Sequence, residues 1–374
     1  MKFLKLKGKN YKLPIFFPDA TRGYVKYVSS KDLQDAKVQG VVVNTYHLLQ
    51  ENLIPKIEKI GIHKYMNFYK PIISDSGGFQ VMSLIHQNPK PSKLLRNRYN
   101  FDSAQKSKYT NKISDIGKIK ENEIVFNLDN KKIRLTPENC IKTQIKIGSD
   151  IVMCLDDCTK PESNLKEQEK SVERTIRWAR KCKKEFERLT KNKRENKPIL
   201  FAIIQGGNHK KLRKYCAKEL VKIGFDGYSF GGFPMRNEKL MKNILQYVSD
   251  LIPRDKIKYA MGVGKPGDII ECFKLGYNMF DCVIPTRDAR HKRLFIFIKN
   301  PNKKNLNNSF KEINIRKKYL KEKKISKYCD CQTCKKYTRK QLLILFKEDK
   351  EAAFKLASIH NLRFYSKLME ILNS

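Results

Sequence analysis

The sequence predicts an α/β protein whose centre is a (β/α)8 TIM barrel, followed by a C-terminal zinc-binding helical subdomain. Three observations carry this. Short apolar runs rich in Val, Ile and Phe alternate with longer amphipathic stretches, which is the signature of βα units. There are eight such runs, the number of parallel strands that closes into a barrel. The polar residues of these runs collect at their C-terminal ends, where the loops of a barrel converge on one face.

In chain order the runs are 14–19 (PIFFPD), 40–44 (GVVVN), 71–75 (PIISD), 150–156 (DIVMCLD), 199–205 (ILFAIIQ), 226–232 (DGYSFGG), 259–262 (YAMG) and 278–283 (NMFDCV). Helices are expected between them at 167–188, 210–223, 238–251 and 266–275, and Thr136-Pro137 opens another that runs to 147. Asp75, Asp156, Gln205, Gly232 and Gly262 end their runs, and Asp281 lies near the end of the last. A doubly wound open sheet also places ligands at strand C-termini and stays as the alternative architecture. The barrel domain is assigned to 1–299, with a polar, Lys/Asn-rich insertion at 87–129 read as a small hairpin and a mobile loop. The second unit, 300–374, starts with a basic, Asn-rich linker, passes a cysteine cluster and ends in a stretch that is helical by period.

The chain has 374 residues, a length that buries a substantial core. Its 17 Tyr and 20 Phe argue against a disordered chain. No run approaches the roughly 18 consecutive apolar residues of a membrane span, and the N-terminus lacks an apolar signal segment, so a cytoplasmic location without membrane association is expected. Lys and Arg number 79 against 38 Asp and Glu, giving a formal net charge of +41. That excess has two readings. A genome rich in AT codons inflates Lys, Asn and Ile; alternatively, a basic surface attracts phosphates and favours a nucleic-acid partner.

Ten cysteines are scattered through the chain except for one tight group. Cys329, Cys331 and Cys334 form a knuckle able to wrap a tetrahedral ion, and His360 follows on a helix that can fold back over it. Three thiolates and one imidazole describe a closed structural Zn2+ site with no open position for a water. Hydrolysis at zinc is therefore excluded, and the metal is expected to staple the subdomain. His63, His86, His209 and His291 lack such spacing and read as surface or packing residues.

Asp75-Ser76-Gly77-Gly78-Phe79-Gln80 is a strand end followed by a glycine turn, which lets backbone approach a flat ligand. Taken singly it reads equally well as an Asx-capped turn. Asp156, Gln205, the pair Gly231-Gly232 and Met261 add a carboxylate, an amide, backbone groups and a soft apolar wall at other strand ends. Together these groups suit a purine-like base, held by its edge and stacked on its face.

Read as a set, SDSGGFQVMSL, LTPENCIKTQIKIGSDIVMCLDDCT, IIQGG, KIGFDGYSFGG, MGVGKPGD, MFDCVIPTRDAR, CDCQTC and SIHNLRFY resemble the tRNA-guanine transglycosylases, also called queuine tRNA-ribosyltransferases, and most closely the bacterial branch. The resemblance runs from about residue 14 to 372, with 87–129 poorly matched. It implies a homodimeric barrel enzyme that exchanges guanine at the anticodon wobble position of certain tRNAs for a 7-deazaguanine precursor of queuosine. By position, Asp281 is similar to the family's nucleophile, which attacks ribose C1′ to form a covalent ribosyl-enzyme. Asp75 matches the general acid and base. Asp156 would accept hydrogen bonds from the base, Gln205 and the Gly232 backbone would hold its carbonyl side, and Phe79 with Met261 would sandwich its face; Ser76, Gly77, Gly78 and Gly231 complete the pocket. The loop Gly262, Val263, Gly264, Lys265, Pro266, Gly267 and Asp268 matches one that lines the RNA path. Thr286, Arg287, Asp288, Ala289 and Arg290 match the stretch that reads the wobble nucleotide and its neighbours in the anticodon loop.

The chain departs from the family pattern at three places. Phe79 stands where bacterial members usually carry Tyr. Phe233-Pro234-Met235-Arg236-Asn237 replaces the usual Leu-Ala-Val-Gly-Glu after the paired glycines, where the aminomethyl group of the precursor would be sensed. Asp288 replaces Asn, which is expected to place a negative charge near RNA. These departures bear on base identity more than on reaction type. The alternatives kept open are a transglycosylase preferring queuine or an archaeosine precursor, and a non-catalytic tRNA-binding subunit. Retention of both Asp75 and Asp281 argues against the latter.

Overall fold

The computed structural model describes residues 2–86, 117–129, 131–193, 196–316 and 323–374. All eight apolar runs form strands of one parallel sheet: β1 (Ile15–Pro18), β2 (Val41–Asn44), β3 (Ile72–Asp75), β4 (Ile151–Met153), β5 (Ile199–Ile204), β6 (Gly227–Phe230), β7 (Ile257–Ala260) and β8 (Met279–Cys282). Each strand pairs with its neighbour in sequence, and β8 returns to β1 in the register Met279↔Ile15 to Cys282↔Pro18. The last seam, between β1 and β2, closes through a parallel bridge Asp19↔Val42 and the bond from Ala20 N–H to Val42 O at 2.8 Å. The sheet is therefore a closed (β/α)8 barrel, and the open-sheet alternative falls away.

The strands read as unbroken apolar runs because both of their faces are buried. Leu13, Ile15, Phe17, Ile73, Ile151, Met153, Phe201, Ile203, Tyr259 and Met279 belong to one interior cluster. Two small residues make room for its rings. A Cβ on Gly227 would lie 2.4 Å from the Phe201 ring, and one on Gly40 would lie 2.4 Å from Phe17 and 2.8 Å from the Pro71 carbonyl. An N-terminal hairpin, Phe3–Leu6 with Lys9–Lys12, adds Leu4 and Leu6 to the same cluster and is tied on by Lys7–Asp150 at 2.7 Å.

The expected helices appear at Pro137–Ile147, Leu165–Thr190, Lys210–Ile223 and Pro266–Lys274. The one expected at 238–251 starts later, at Lys242–Leu251. Asn237 and Glu238 both adopt positive φ, 48° and 62°, and form the two-residue turn of a hairpin pairing Met235 with Leu240. Within 87–129, the residues 117–129 belong to a three-stranded antiparallel sheet, Gly117–Ile119, Ile124–Leu128 and Lys131–Leu135; the rest of the expected loop lies outside the described residues.

After the barrel, Arg293–Phe297 pairs with Phe310–Asn314, so a ladder runs across position 300. Short helices Gln332–Lys336 and Arg339–Glu348 lead to the 24-residue helix Lys350–Asn373, which packs on the barrel. Phe364, Tyr365, Leu368 and Met369 join the core between barrel and helices, whereas Ala353, Ala357 and Ile359 join a second core with Cys331, Cys334 and Leu342. No helix among the described residues is long and apolar enough to cross a membrane.

Filling the Gly40 position tests how tightly the barrel interior is packed. Gly40→Ala forces its methyl against the Phe17 ring and a backbone oxygen and is expected to lower unfolding free energy by about 1–3 kcal/mol. A urea midpoint equal to wild type would show that the interior yields there.

Candidate active site and metal centre

Asp75 is the last residue of β3, and Asn44, the last of β2, is its register partner. Asn44 donates Nδ2–H to Asp75 Oδ2 at 2.9 Å, while its Oδ1 accepts from Tyr46 N–H and caps the helix Thr45–Gln50. The Thr45 hydroxyl donates to the Asp75 carbonyl at 3.0 Å. The Asp75 carboxyl is therefore held from one side by β2 and the helix it starts. Burial first, and then the negative charge of Asp281, push its pKa up to about 6.

Asp281 lies within β8 and faces the same rim. Its Oδ1 accepts from the Tyr259 hydroxyl at 2.8 Å and from the Gly262 backbone N–H at 2.8 Å. Tyr259 is fully buried in β7, and burial together with Asp281 drives its own pKa well above the ordinary phenol value, so it stays a donor. Two donors at one carboxylate oxygen fix the plane of the group and favour its ionised form.

Across the rim, Asp156 lies just past β4 and accepts from Gln205 Nε2–H at 2.6 Å. Both side chains are buried. Burial first, and then the charges of Asp75 and Asp157, raise the Asp156 carboxyl to about 7 against the opposing Gln205 bond. Gly231 packs directly on Gln205, since a Cβ there would lie 2.7 Å from Gln205 Nε2. Gly232 has φ +81°, a conformation that favours glycine. Ser76 is buried, and its Oγ accepts from Gly78 N–H at 3.2 Å. Gly77 and Gly78 are packed so closely on Tyr46 and Leu155 that a Cβ would come within 2.8 and 2.6 Å. This turn is shaped by backbone packing. Phe79 is half-buried and meets Phe233 at 5.9 Å between ring centroids, so the hairpin after β6 reaches the expected stacking residue; Met261 packs against the barrel interior.

The two stretches matched to an RNA path follow β7 and β8: Gly262–Asp268 is a loop that runs into the helix Pro266–Lys274, and Thr286–Arg290 lies in the helix Ile284–Arg290. Lys265 and Gly267 are exposed, and Gly262, Asp268, Arg287 and Arg290 are half-buried. Val263, Gly264, Pro266, Thr286, Asp288 and Ala289 are buried. Asp288 does not present the bare charge expected of it. It is paired with Arg293 at 2.8 Å and Arg287 at 3.1 Å, and the salt bridges draw it inward.

The ligand atoms of Cys329, Cys331, Cys334 and His360 lie within 4.8 Å of one another, a group able to hold a metal ion. His360 Nδ1 stands 3.1 Å from Cys334 Sγ and 3.7 Å from Cys331 Sγ, and its Nε2 is 2.8 Å from the Phe295 carbonyl. A proton on Nε2, donated to that carbonyl, leaves Nδ1 as a ligand lone pair, the arrangement typical of metal-binding histidines. The next residue, Asn361, donates to Pro285 O at 2.9 Å and Arg293 O at 3.1 Å, and Tyr365 donates to Gly264 O at 2.5 Å. One helix thus joins the metal group to both loops beside Asp281.

The sequence singled out the carboxylates and the four residues of the Cys3His group, but not Asn44, Tyr259 or Arg213, which the structure places beside them. Arg213 had a visible signal, a charged residue on an apolar stripe with Cys216, Ala217 and Leu220. Asn44 ends its run as Asp75 does, yet its partner became evident only in the ladder.

A family model described as Queuine tRNA-ribosyltransferase matches residues 2–112 and 98–373. Three curated proteins carrying that name are similar to this chain. The one from Acinetobacter baumannii (strain SDF) is 36% identical over 364 residues, covering 96% of this chain and 84% of its own length. The one from Halothermothrix orenii is 36% identical over 371 residues, covering 98% and 87%, and the one from Baumannia cicadellinicola is 37% identical over 360 residues, covering 95% and 85%.

The raised pKa of Asp156 has a consequence for stability. In the unfolded chain the group titrates near ~4, whereas in the folded chain it titrates at about 7. The native state holds the proton more tightly, so this group favours folding fully below the unfolded value and loses that contribution as pH rises through about 7. Asp156→Asn, which cannot ionise, is expected to melt with wild type in acid and above it at pH 8, by on the order of 5 °C. Coincident melting at pH 8 would contradict the buried-carboxylate picture.

Proposed function

The chain belongs to the queuine tRNA-ribosyltransferase family and is a pentosyltransferase, and on that premise we propose that it exchanges the guanine at the anticodon wobble position of tRNA for a 7-deazaguanine base through a covalent ribosyl-Asp281 intermediate. The observation that carries this reading is the pair of carboxylates Asp75 and Asp281 on one rim, with Asp75 raised to about 6 partly by the charge of Asp281. A nucleophilic carboxylate suits an oxocarbenium-like transition state, because a covalent intermediate divides one hard displacement into two with net retention.

In the first half-reaction an Asp281 carboxylate oxygen forms a bond to ribose C1′ as the C1′–N9 bond breaks. The protonated Asp75 gives its proton to the departing guanine. Ester formation removes the negative charge of Asp281, and with it one of the causes that keep the Asp75 pKa high. Asp75 is then the stronger acid, left as a carboxylate ready to take the proton of the incoming base. Asp156 and Gln205 hold the base edge, and Phe79, braced by Phe233, covers its face. The base is read as 7-aminomethyl-7-deazaguanine. The acceptor is a tRNA whose anticodon loop lies along the loops that include Lys265, Arg287 and Arg290, and the working unit is a homodimer. The Cys3His group is read as holding one Zn2+ per chain, which with four protein ligands supplies structure and no open coordination position.

Labelled guanine should enter a tRNA with a GUN anticodon in the presence of the protein. Asp281→Asn is expected to lower the rate by at least about 10³-fold, as loss of a nucleophile does, while leaving tRNA binding in place. An Asp281→Asn variant with wild-type exchange would sink the covalent reading, and absent exchange by wild type with tight tRNA binding would favour a binding subunit.

Stripping the metal with a chelator should release one zinc per chain by elemental analysis and lower the melting temperature, because His360 and Asn361 sit on the helix that ties down the loops around Pro285 and Gly264. The same treatment is expected to weaken tRNA binding. A chelated protein that has lost its zinc but keeps both melting temperature and tRNA affinity would show that the group is dispensable.

A further inference from the structure

Helix Lys210–Ile223 buries a cation where an aliphatic residue would complete its apolar stripe. Arg213 is 1% exposed. Among the described residues it forms no salt bridge with a carboxylate, and its titratable neighbours Cys216, Cys158 and Tyr277 are held neutral by burial. Desolvating a guanidinium without a carboxylate partner disfavours the fold unless its donors are well placed. They are: Nε donates to Gly207 O at 2.9 Å, Nη2 to Gly231 O at 2.9 Å, and Nη1 to Ile204 O. The guanidinium lies over the Phe230 ring, 4.3 Å from its centroid.

Those three carbonyls stand at the ends of β5 and β6, on either side of Gln205 and at the Gly231-Gly232 pair. The Gly231 C=O and the Gly232 N–H belong to one planar trans peptide, so they point in opposite directions. With the carbonyl turned toward Arg213, the N–H is turned away from it. Gly232 is also close to the amide that holds Asp156, since a Cβ there would lie 3.5 Å from Gln205 Oε1.

We propose that Arg213 is a positioning residue for base recognition, which fixes and polarises the Gly231–Gly232 peptide so that the Gly232 N–H is presented to the 6-oxygen of the bound purine-type base. A positive charge on the carbonyl side draws electron density through the amide and strengthens its N–H as a donor. The effect grows as the base departs, because negative charge then spreads onto that oxygen, and a preorganised donor in a water-poor site stabilises it. This inference rests on the base-exchange reading above.

The test compares guanine with 6-thioguanine as inhibitors of labelled guanine exchange into tRNA. 6-Thioguanine keeps the N1–H and the 2-amino group and replaces the 6-oxygen by a weak acceptor. Wild type is expected to prefer guanine by roughly tenfold or more, the cost of leaving a buried donor without a good acceptor. Arg213→Met should bring the two inhibition constants within about threefold of each other. Arg213→Lys, which keeps the charge and fewer donors, should fall between them, and it carries the test if the Met variant does not fold by circular dichroism. A merely structural arginine would weaken both bases equally and leave the ratio at its wild-type value in folded variants, which overturns the proposal. A wild-type protein that exchanges no guanine fails the base-exchange reading itself, and one that exchanges guanine without preferring the oxygen overturns the role given to Gly232.

Discussion

Closure of the parallel ladder is the constraint on which the rest of this molecule depends. Once β1 meets β2 through Asp19, Ala20 and Val42, every strand must deliver its C-terminal end to the same rim. Asp75, Asp156 and Asp281 come from strands far apart in sequence, yet closure brings them into a small volume with little water. Like charges in such a place interact strongly, and desolvation is the first cause of the raised pKa at both Asp75 and Asp156. The chemistry of the site follows from that crowding.

Carboxylates in this position oppose folding, and they persist because neighbouring strands supply donors to each. Asn44 reaches Asp75 from β2, Tyr259 reaches Asp281 from β7, and Gln205 reaches Asp156 from β5. All three donors are fully or almost fully buried, so each acts in a low dielectric and each carboxylate keeps one orientation. Such an exchange of stability for function is what the proposed base-exchange site would require. Arg213 follows the same logic with the opposite sign: a buried cation satisfied by carbonyls, shaping the loops from behind.

The C-terminal helix extends this order to the outer loops. His360 faces the metal group, Asn361 binds backbone on either side of the segment 285–293, and Tyr365 binds the loop after β7. Three contacts within six residues of one helix mean that the metal group and the loops beside Asp281 share a rigid element. A metal held by that group, distant in sequence from the carboxylates, would thereby help to set the surface against which a substrate would lie.

The sequence alone determined the eight strands, because parallel strands buried on both faces appear as short apolar runs whatever their order in the ladder. It determined the metal group as well, since three thiols within six residues need no knowledge of the fold, and His360 was the one histidine on a helix able to return to them. Several features were decided only by tertiary structure. Asn44 and Asp75 lie 31 residues apart, and Tyr259 and Asp281 lie 22 apart, so their hydrogen bonds exist only because adjacent strands bring them into register. The helix expected at 238–251 gave up its first turn to a hairpin, since Asn237 and Glu238 tolerate positive φ in a two-residue turn that pairs Met235 with Leu240. Asp288 was expected to set a negative charge near RNA, and only the fold shows it paired with Arg293 from the following strand. Pattern and local spacing encode which residues are buried and which ligands stand close in sequence; which polar group meets which depends on how the ladder closes, and that is settled by packing across the whole chain.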